Sequence, residues 1–293
     1  MHNYLRSVGF KCITNHKQLA SLFDQIISQP DYFECIQTDE ETNLTVMSRE
    51  FAPGMGVALF GIMDENDRFQ TEFYFPYANS ETISTSAECF FHEHTEKESY
   101  AGSCDDYRIN ITLIFSVSNF MEMRSICSRT GVMPSSRSVS FSGLSAEGKI
   151  LLPIQKTEKE KEEAKLYAKK RSQMMESLKD QDSAALELLN QREFQMFHQL
   201  NMQLRTTDLY TLIDSYFMPY GVECDQYTLM GTIEKADLVK NTLTGEEVYR
   251  LLVDCNDMPF QIVIHKSDLF GIPAVGRRFK GSVWLTGHVD FQA

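Results

Sequence analysis

Between Tyr107 and Val117 the chain keeps strict period two: Tyr107, Ile109, Ile111, Leu113, Phe115 and Val117 are aromatic or aliphatic. Most residues between them are polar. Successive side chains of a strand point to opposite faces, so such a run needs sheet neighbours for its backbone and a core for one face. Other segments before residue 155 carry the same signal. Leu44 and Val46 alternate with polar residues, and Gly56 to Met63 is a short apolar run. After the polar turn Asp64-Glu65-Asn66-Asp67, the residues Phe69, Thr71, Phe73 and Phe75 alternate with Gln70, Glu72 and Tyr74, which predicts a hairpin. Val139 to Gly143 and Lys149 to Ile154, joined by Ser145-Ala146-Glu147-Gly148, predict another. One helix is expected after Asn15, with Leu19, Leu22, Phe23, Ile26 and Ile27 on one side and Pro30 as its stop. Residues 1–154 therefore read as an α+β domain, a largely antiparallel sheet with one or two helices on a face.

Two further regions follow. Residues 155–225 carry helical spacing: a thin stripe of Ala164, Tyr167, Met174 and Leu178, then a stronger one of Leu186, Leu189, Phe194, Phe197, Leu200 and Leu204. A third helix, capped by Thr206 or Thr207, would bury Leu209, Leu212, Ile213 and Phe217 and end at Pro219-Tyr220-Gly221. A helical hairpin packed on its own sheet is the expected form, since no heptad persists long enough for a coiled-coil arm. Residues 226–293 read as five short strands, Tyr227–Ala236, Glu247–Cys255, Phe260–His265, Arg278–Leu285 and His288–Phe291, with a hairpin loop at 241–245. That pattern predicts a small β-barrel, OB-like or SH3-like.

Charge and cysteine usage narrow the function classes. The 293 residues carry a formal net charge of −13, which repels phosphate backbones and anionic membranes. The predicted barrel, with seven basic against eight acidic residues, is almost neutral, and its cluster of Arg277, Arg278 and Lys280 is the one feature that would suit single-stranded nucleic acid. No apolar run is long enough to span a bilayer, and the opening MHNYLRSVGFKCITNHK lacks the apolar stretch of a secretory signal. Seven scattered cysteines with no CxxC spacing suit reduced thiols, so a cytoplasmic setting is expected.

One polar segment, Glu88 to Asp106, gathers groups that could do chemistry: His92, His94, Cys104, Asp105 and Asp106. Histidines two apart on a strand share a face, and a thiolate or carboxylate from the next strand could complete a transition-metal site. His92, His94, Cys104 and Asp105 are the metal candidates; Cys104, His94 and Asp105 also form a conceivable nucleophilic set. The competing reading is a solvated strand and loop with Cys104 buried as a small apolar residue. The glycines of PGMGVALFG match no dinucleotide or P-loop spacing, and no GxSxG or HExxH occurs. Trp284, the single tryptophan, is expected in a core. No catalytic residue and no cofactor is indicated.

Four segments, MHNYLRSVGF, EKESYAGSCDDYRINITLIF, DSYFMPYGVECDQY and VGRRFKGSVWLTG, resemble a bacterial family, mainly clostridial, known only as a domain of unknown function. The resemblance spans the chain and implies a bacterial cytoplasmic setting; it carries no activity. The expected function is that of a noncatalytic binding or regulatory protein for a protein or small ligand, with the helical segment available to a protein partner or a second copy. An enzyme or metal-dependent protein using His92 to Asp106, and a single-stranded nucleic-acid binder using the barrel, are the alternatives.

Overall fold

A computed structural model describes residues 2–37, 43–63, 68–94, 99–106, 108–109, 111–154, 166 and 213–292. Strands make up most of it, arranged in two sheets. The first is an antiparallel meander of β1 (Tyr32–Gln37), β2 (Asn43–Ala52), β3 (Met55–Met63) and β4 (Phe69–Ala78). β3 is buried along most of its length because both its faces are covered, which is why its sequence reads as a continuous apolar run and not as an alternation. On one face, Val57 and Leu59 meet helix α1 (His16–Ser28), capped by Asn15 accepting from the Gln18 amide at 3.0 Å. On the other, Phe60 stacks on Phe73, Phe75 and Phe120, the last being the first residue of helix α2 (Phe120–Thr130).

The second sheet has ten strands: β5 (Cys89–His94), β6 (Ser99–Asp105), β7 (Thr112–Val117), β8 (Ser135–Leu151), β9 (Tyr216–Pro219), β10 (Gln226–Lys240), β11 (Glu247–Cys255), β12 (Met258–His265), β13 (Leu269–Phe270) and β14 (Arg278–Gln292). Five of them close on themselves. β10, β11 and β12 form an antiparallel meander, β14 pairs with β10, and β8 pairs antiparallel with β14 and parallel with β12. Phe141, Leu229, Ile233, Leu251, Phe260, Ile262, Phe279 and Val283 are buried in the same core. A ring satisfies the backbone groups that an open sheet would leave at its edges. β14 then passes its pairing outward to β7, β6 and β5.

The α+β expectation is thereby corrected: the described residues are mostly strand, and the expected barrel does not close from residues 226–293 alone. Its fifth strand is β8, contributed from before residue 155. The segment Ser145-Ala146-Glu147-Gly148 is no turn but part of β8. The Ser145 hydroxyl lies 2.8 Å from the carbonyl oxygens of both Glu147 and Ser282, and a register shift opposite Ser282/Val283 makes this a bulge that bends the strand around the ring. Likewise 278–292 is one strand. The run from Tyr107 becomes strand only at Thr112, because Asp106 accepts from the Arg108 amide at 2.9 Å and turns the chain. Phe217 lies in β9, not in a helix, and packs on Tyr227 and Phe260. The predicted hairpin turn at 64–67 and nearly all of the predicted helical hairpin lie outside the described residues. Among the described residues, no helix is long and apolar enough to cross a membrane.

Candidate functional site

Where β4 passes close to β6, β7 and β14, a cavity of about 420 Å³ remains between the two sheets. β4 supplies Phe73, Tyr74 and Phe75; β6 supplies Tyr100 and Ala101; β7 supplies Ile114 to Val117; β14 supplies Trp284 and Thr286. The N-terminus adds His2, Asn3 and Tyr4, and the segment leading into β10 adds Glu223 to Gln226. Strand geometry explains the wall. Ser116 stands opposite Ala101 on one side and Thr286 on the other, so small side chains share one face across three strands. Phe115 fills the opposite face, and two neighbours are glycines to admit it. A Cβ on Gly102 would lie 2.3 Å from the Phe115 ring, and one on Gly287 would lie 2.5 Å from it.

Aromatic rings converge on Trp284. The Tyr4 ring stacks at a centroid distance of 5.8 Å, His2 lies at 4.8 Å, and Phe75 meets the indole edge-on at 6.3 Å. The polar pivot is Asp225. Its Oδ2 accepts from the Trp284 indole N–H at 2.6 Å and from the Ser116 hydroxyl at 2.9 Å, while its backbone carbonyl accepts from the Leu285 amide at 2.9 Å. Burial, and then the Asp225 charge, push the Tyr4 phenol up to about 12, so it stays a neutral donor at neutral pH. Among the described residues no lysine or arginine lines the cavity, and its formal negative charges are Asp225 and Glu223.

The metal candidates sit elsewhere, on the strands beside it. His92 is exposed and faces Ala101 across the β5–β6 pair, but it is outside the cavity lining. His94 occupies the end of β5, opposite Ser99. Cys104 is buried on the other face, directly opposite Cys89. Hydrogen bonding to Cys89, burial and nearby acids raise its pKa, which favours the thiol form. Asp105 is exposed and accepts from the Thr112 hydroxyl at 2.6 Å. The fold thus separates His92 from Cys104, and among the described residues no three His, Cys, Asp or Glu groups are clustered as ligands. Asp106, from the same polar segment, is buried in an ion pair with Arg108 at 2.7 Å.

Residue type alone does not single out Asp225 or Tyr4, while Trp284 packs against the core as expected and its indole N–H turns to Asp225. Neither an isolated aspartate nor a lone tyrosine signals a site until the chain folds. The available signal was positional: all four segments quoted for the family resemblance contribute residues to this one cavity. No curated protein and no solved structure matches the chain. One family profile matches residues 5–287, that of a domain of unknown function, E. rectale gene description (DUF3881). With the match running over nearly the whole length, from Leu5 into β14, the chain belongs to this family.

Proposed function

We propose that the protein is a noncatalytic, cytoplasmic binding protein whose cavity between the two sheets takes a small ligand. The observation that carries this is the cavity itself, whose described lining includes seven Phe, Tyr or Trp residues and the anchored carboxylate of Asp225. Concave, mainly apolar sites with few, fixed polar groups are the usual form of small-molecule sites. The Ser116 hydroxyl that donates to Asp225 shares its Oδ2 acceptor with the Trp284 indole, an arrangement that suits a fixed polar anchor better than an activated nucleophile and favours binding over catalysis. The seven cysteines are free, in keeping with a reducing compartment.

A nucleic-acid ligand fits less well. Arg278 is buried and donates to the carbonyls of Leu152 and Ile213 at 3.0 and 2.8 Å, and Arg277 donates to the Ile272 carbonyl at 2.8 Å. These two guanidinium groups hold backbone in place and do not form a phosphate-facing groove.

The single tryptophan lies in the site, so its emission reports occupancy directly. Screening small aromatic and aliphatic molecules against the full chain should yield saturable changes in Trp284 emission with a matching rise in melting temperature. An Ala101→Leu variant, which narrows the cavity, should weaken them at least tenfold. Absence of any saturable change, or full retention in a folded Ala101→Leu variant, would remove this reading.

A further inference from the structure

We infer that the ligand is a small organic cation, an ammonium group on an apolar body, recognised by Asp225 and the surrounding rings. This rests on the proposed ligand role of the cavity and adds the chemical class.

Three observations carry it. First, the formal charges on the wall are of one sign: Asp225 and Glu223 line it, and among the described residues no lysine or arginine does. A cavity between two sheets has low-dielectric walls, which sharpen the preference of that field for a cation. Second, Asp225 is held but not used up. Trp284 and Ser116 both donate to Oδ2, and among the described residues Oδ1 receives no hydrogen bond. An ionised carboxylate has about four acceptor positions, so half of this one's capacity is open to an N⁺–H donor. The two bonds to Oδ2 fix its orientation beforehand, which lowers the entropy lost on binding. Third, aromatic rings crowd this carboxylate: Tyr4 stacks on Trp284 at an interplanar angle of 23°, and Phe75 meets the indole edge-on at 81°. Such a wall suits the apolar body of an organic ammonium, and the ring quadrupoles beside the carboxylate add to its preference for a cation.

An anionic ligand would face two carboxylates, with no lysine or arginine opposite among the described residues. A neutral aromatic molecule would fit the walls but leave the open oxygen of Asp225 desolvated and unpaired. The cation satisfies both demands. The acidic surface of the whole chain, at net −13, also raises the local concentration of cations and speeds their arrival.

The test uses the full chain at pH 7 and constant ionic strength, with three probes of one shape and different charge: benzylamine, benzyl alcohol and benzoate. Affinities come from Trp284 emission and, independently of the indole, from titration calorimetry. Benzylamine should bind roughly ten- to hundredfold tighter than benzyl alcohol, the range expected of a charge-assisted hydrogen bond, and benzoate weakest. In an Asp225→Asn variant with an unchanged circular dichroism spectrum, benzylamine should fall to the level of benzyl alcohol, whose own affinity should hold. If the variant does not fold, methylammonium, a cation that keeps its N–H donors, should compete with benzylamine on the wild-type chain where methanol does not, and failure to compete overturns the inference. Equal binding of the three probes, or a preference for benzoate, overturns the cation while leaving the cavity a ligand site. No saturable binding by any probe overturns both.

Discussion

Asp106 is buried to 6 % exposure and still ionised, because Arg108 grips it with Nε at 2.9 Å and Nη2 at 2.7 Å and the Thr85 hydroxyl donates at 2.7 Å. Burial alone would raise its pKa; the bonds from Arg108 and Thr85 outweigh it and hold the value below the ordinary one. The same guanidinium reaches the carbonyls of Ser84 and Asp257, both at 2.7 Å, so one side chain ties three stretches of chain together. Asp106→Asn would remove the carboxylate that faces the partly buried arginine. The expected loss is about 3 kcal/mol at pH 7, measured by urea unfolding. A depressed folded pKa contributes stability that is complete above the unfolded value, near about 4, and lost as pH falls through the folded one. Wild type should therefore lose stability below about pH 4, and the variant should lose less over that interval. Identical acid limbs for the two proteins would contradict this account of the pair.

Elements are joined here by turns whose chemistry is visible locally. β11 and β12 are connected by Asn256 and Asp257, both left-handed at φ 56° and 61°, which is the conformation of a two-residue hairpin matched to strand twist. Asparagine and aspartate tolerate this region, but glycine adopts it without a Cβ clash. Asp257 also acts at a distance. Burial, and then the charges of Asp257 and Glu234, push Asp254 up to about 6. A raised carboxylate pKa means that the folded chain loses stability as pH rises from the unfolded value towards that figure. Asp257→Gly removes one of those charges and the strained Cβ while keeping the carbonyl that Arg108 uses. The expected result is a gain of about 1 kcal/mol at pH 8 and a smaller loss of stability between pH 4 and 6. A gain independent of pH would show that backbone strain alone was relieved.

At the scale of the whole molecule, the ring makes the middle of the chain and its C-terminal part interdependent. β8 pairs with β14 from Arg278↔Leu151 to Gln292↔Ser135 and with β12 through Gln261↔Ser142 to Ile264↔Ser145. Without β8, strands β12 and β14 would each expose a long row of unpaired backbone groups, and Phe260, Ile262 and Phe279 would lose their cover. Residues 226–293 produced alone should accordingly show no cooperative thermal transition and poor amide dispersion in NMR, whereas the full chain melts cooperatively. A cooperatively folded fragment would show that β8 is dispensable to the ring. The cavity depends on the same closure, since Trp284 on β14 meets Tyr4, Phe75 and Asp225 only when the N-terminus, β4 and the approach to β10 are all in place.

What could be read from the sequence was what neighbouring residues decide. The spacing of Leu19, Leu22 and Ile26 with Asn15 before them specifies α1, and strand-like runs on either side of a polar break specify the β3–β4 and β10–β11 strand pairs, because helix caps and strand runs are set within a few residues. Tertiary structure alone decided that Ser145 to Gly148 is a bulge and not a turn, since the polar atoms of Ser145 find their partner on a strand more than 130 residues away. It also decided that Cys104 and His92, close in sequence, occupy opposite faces of adjoining strands, and that His2, Tyr4, Asp225 and Trp284, drawn from the two ends of the chain, share one cavity. Local composition carries the preference of a segment for strand or helix. Which distant segment completes its hydrogen bonds, and what lies in the space between them, follows only from closing the sheet.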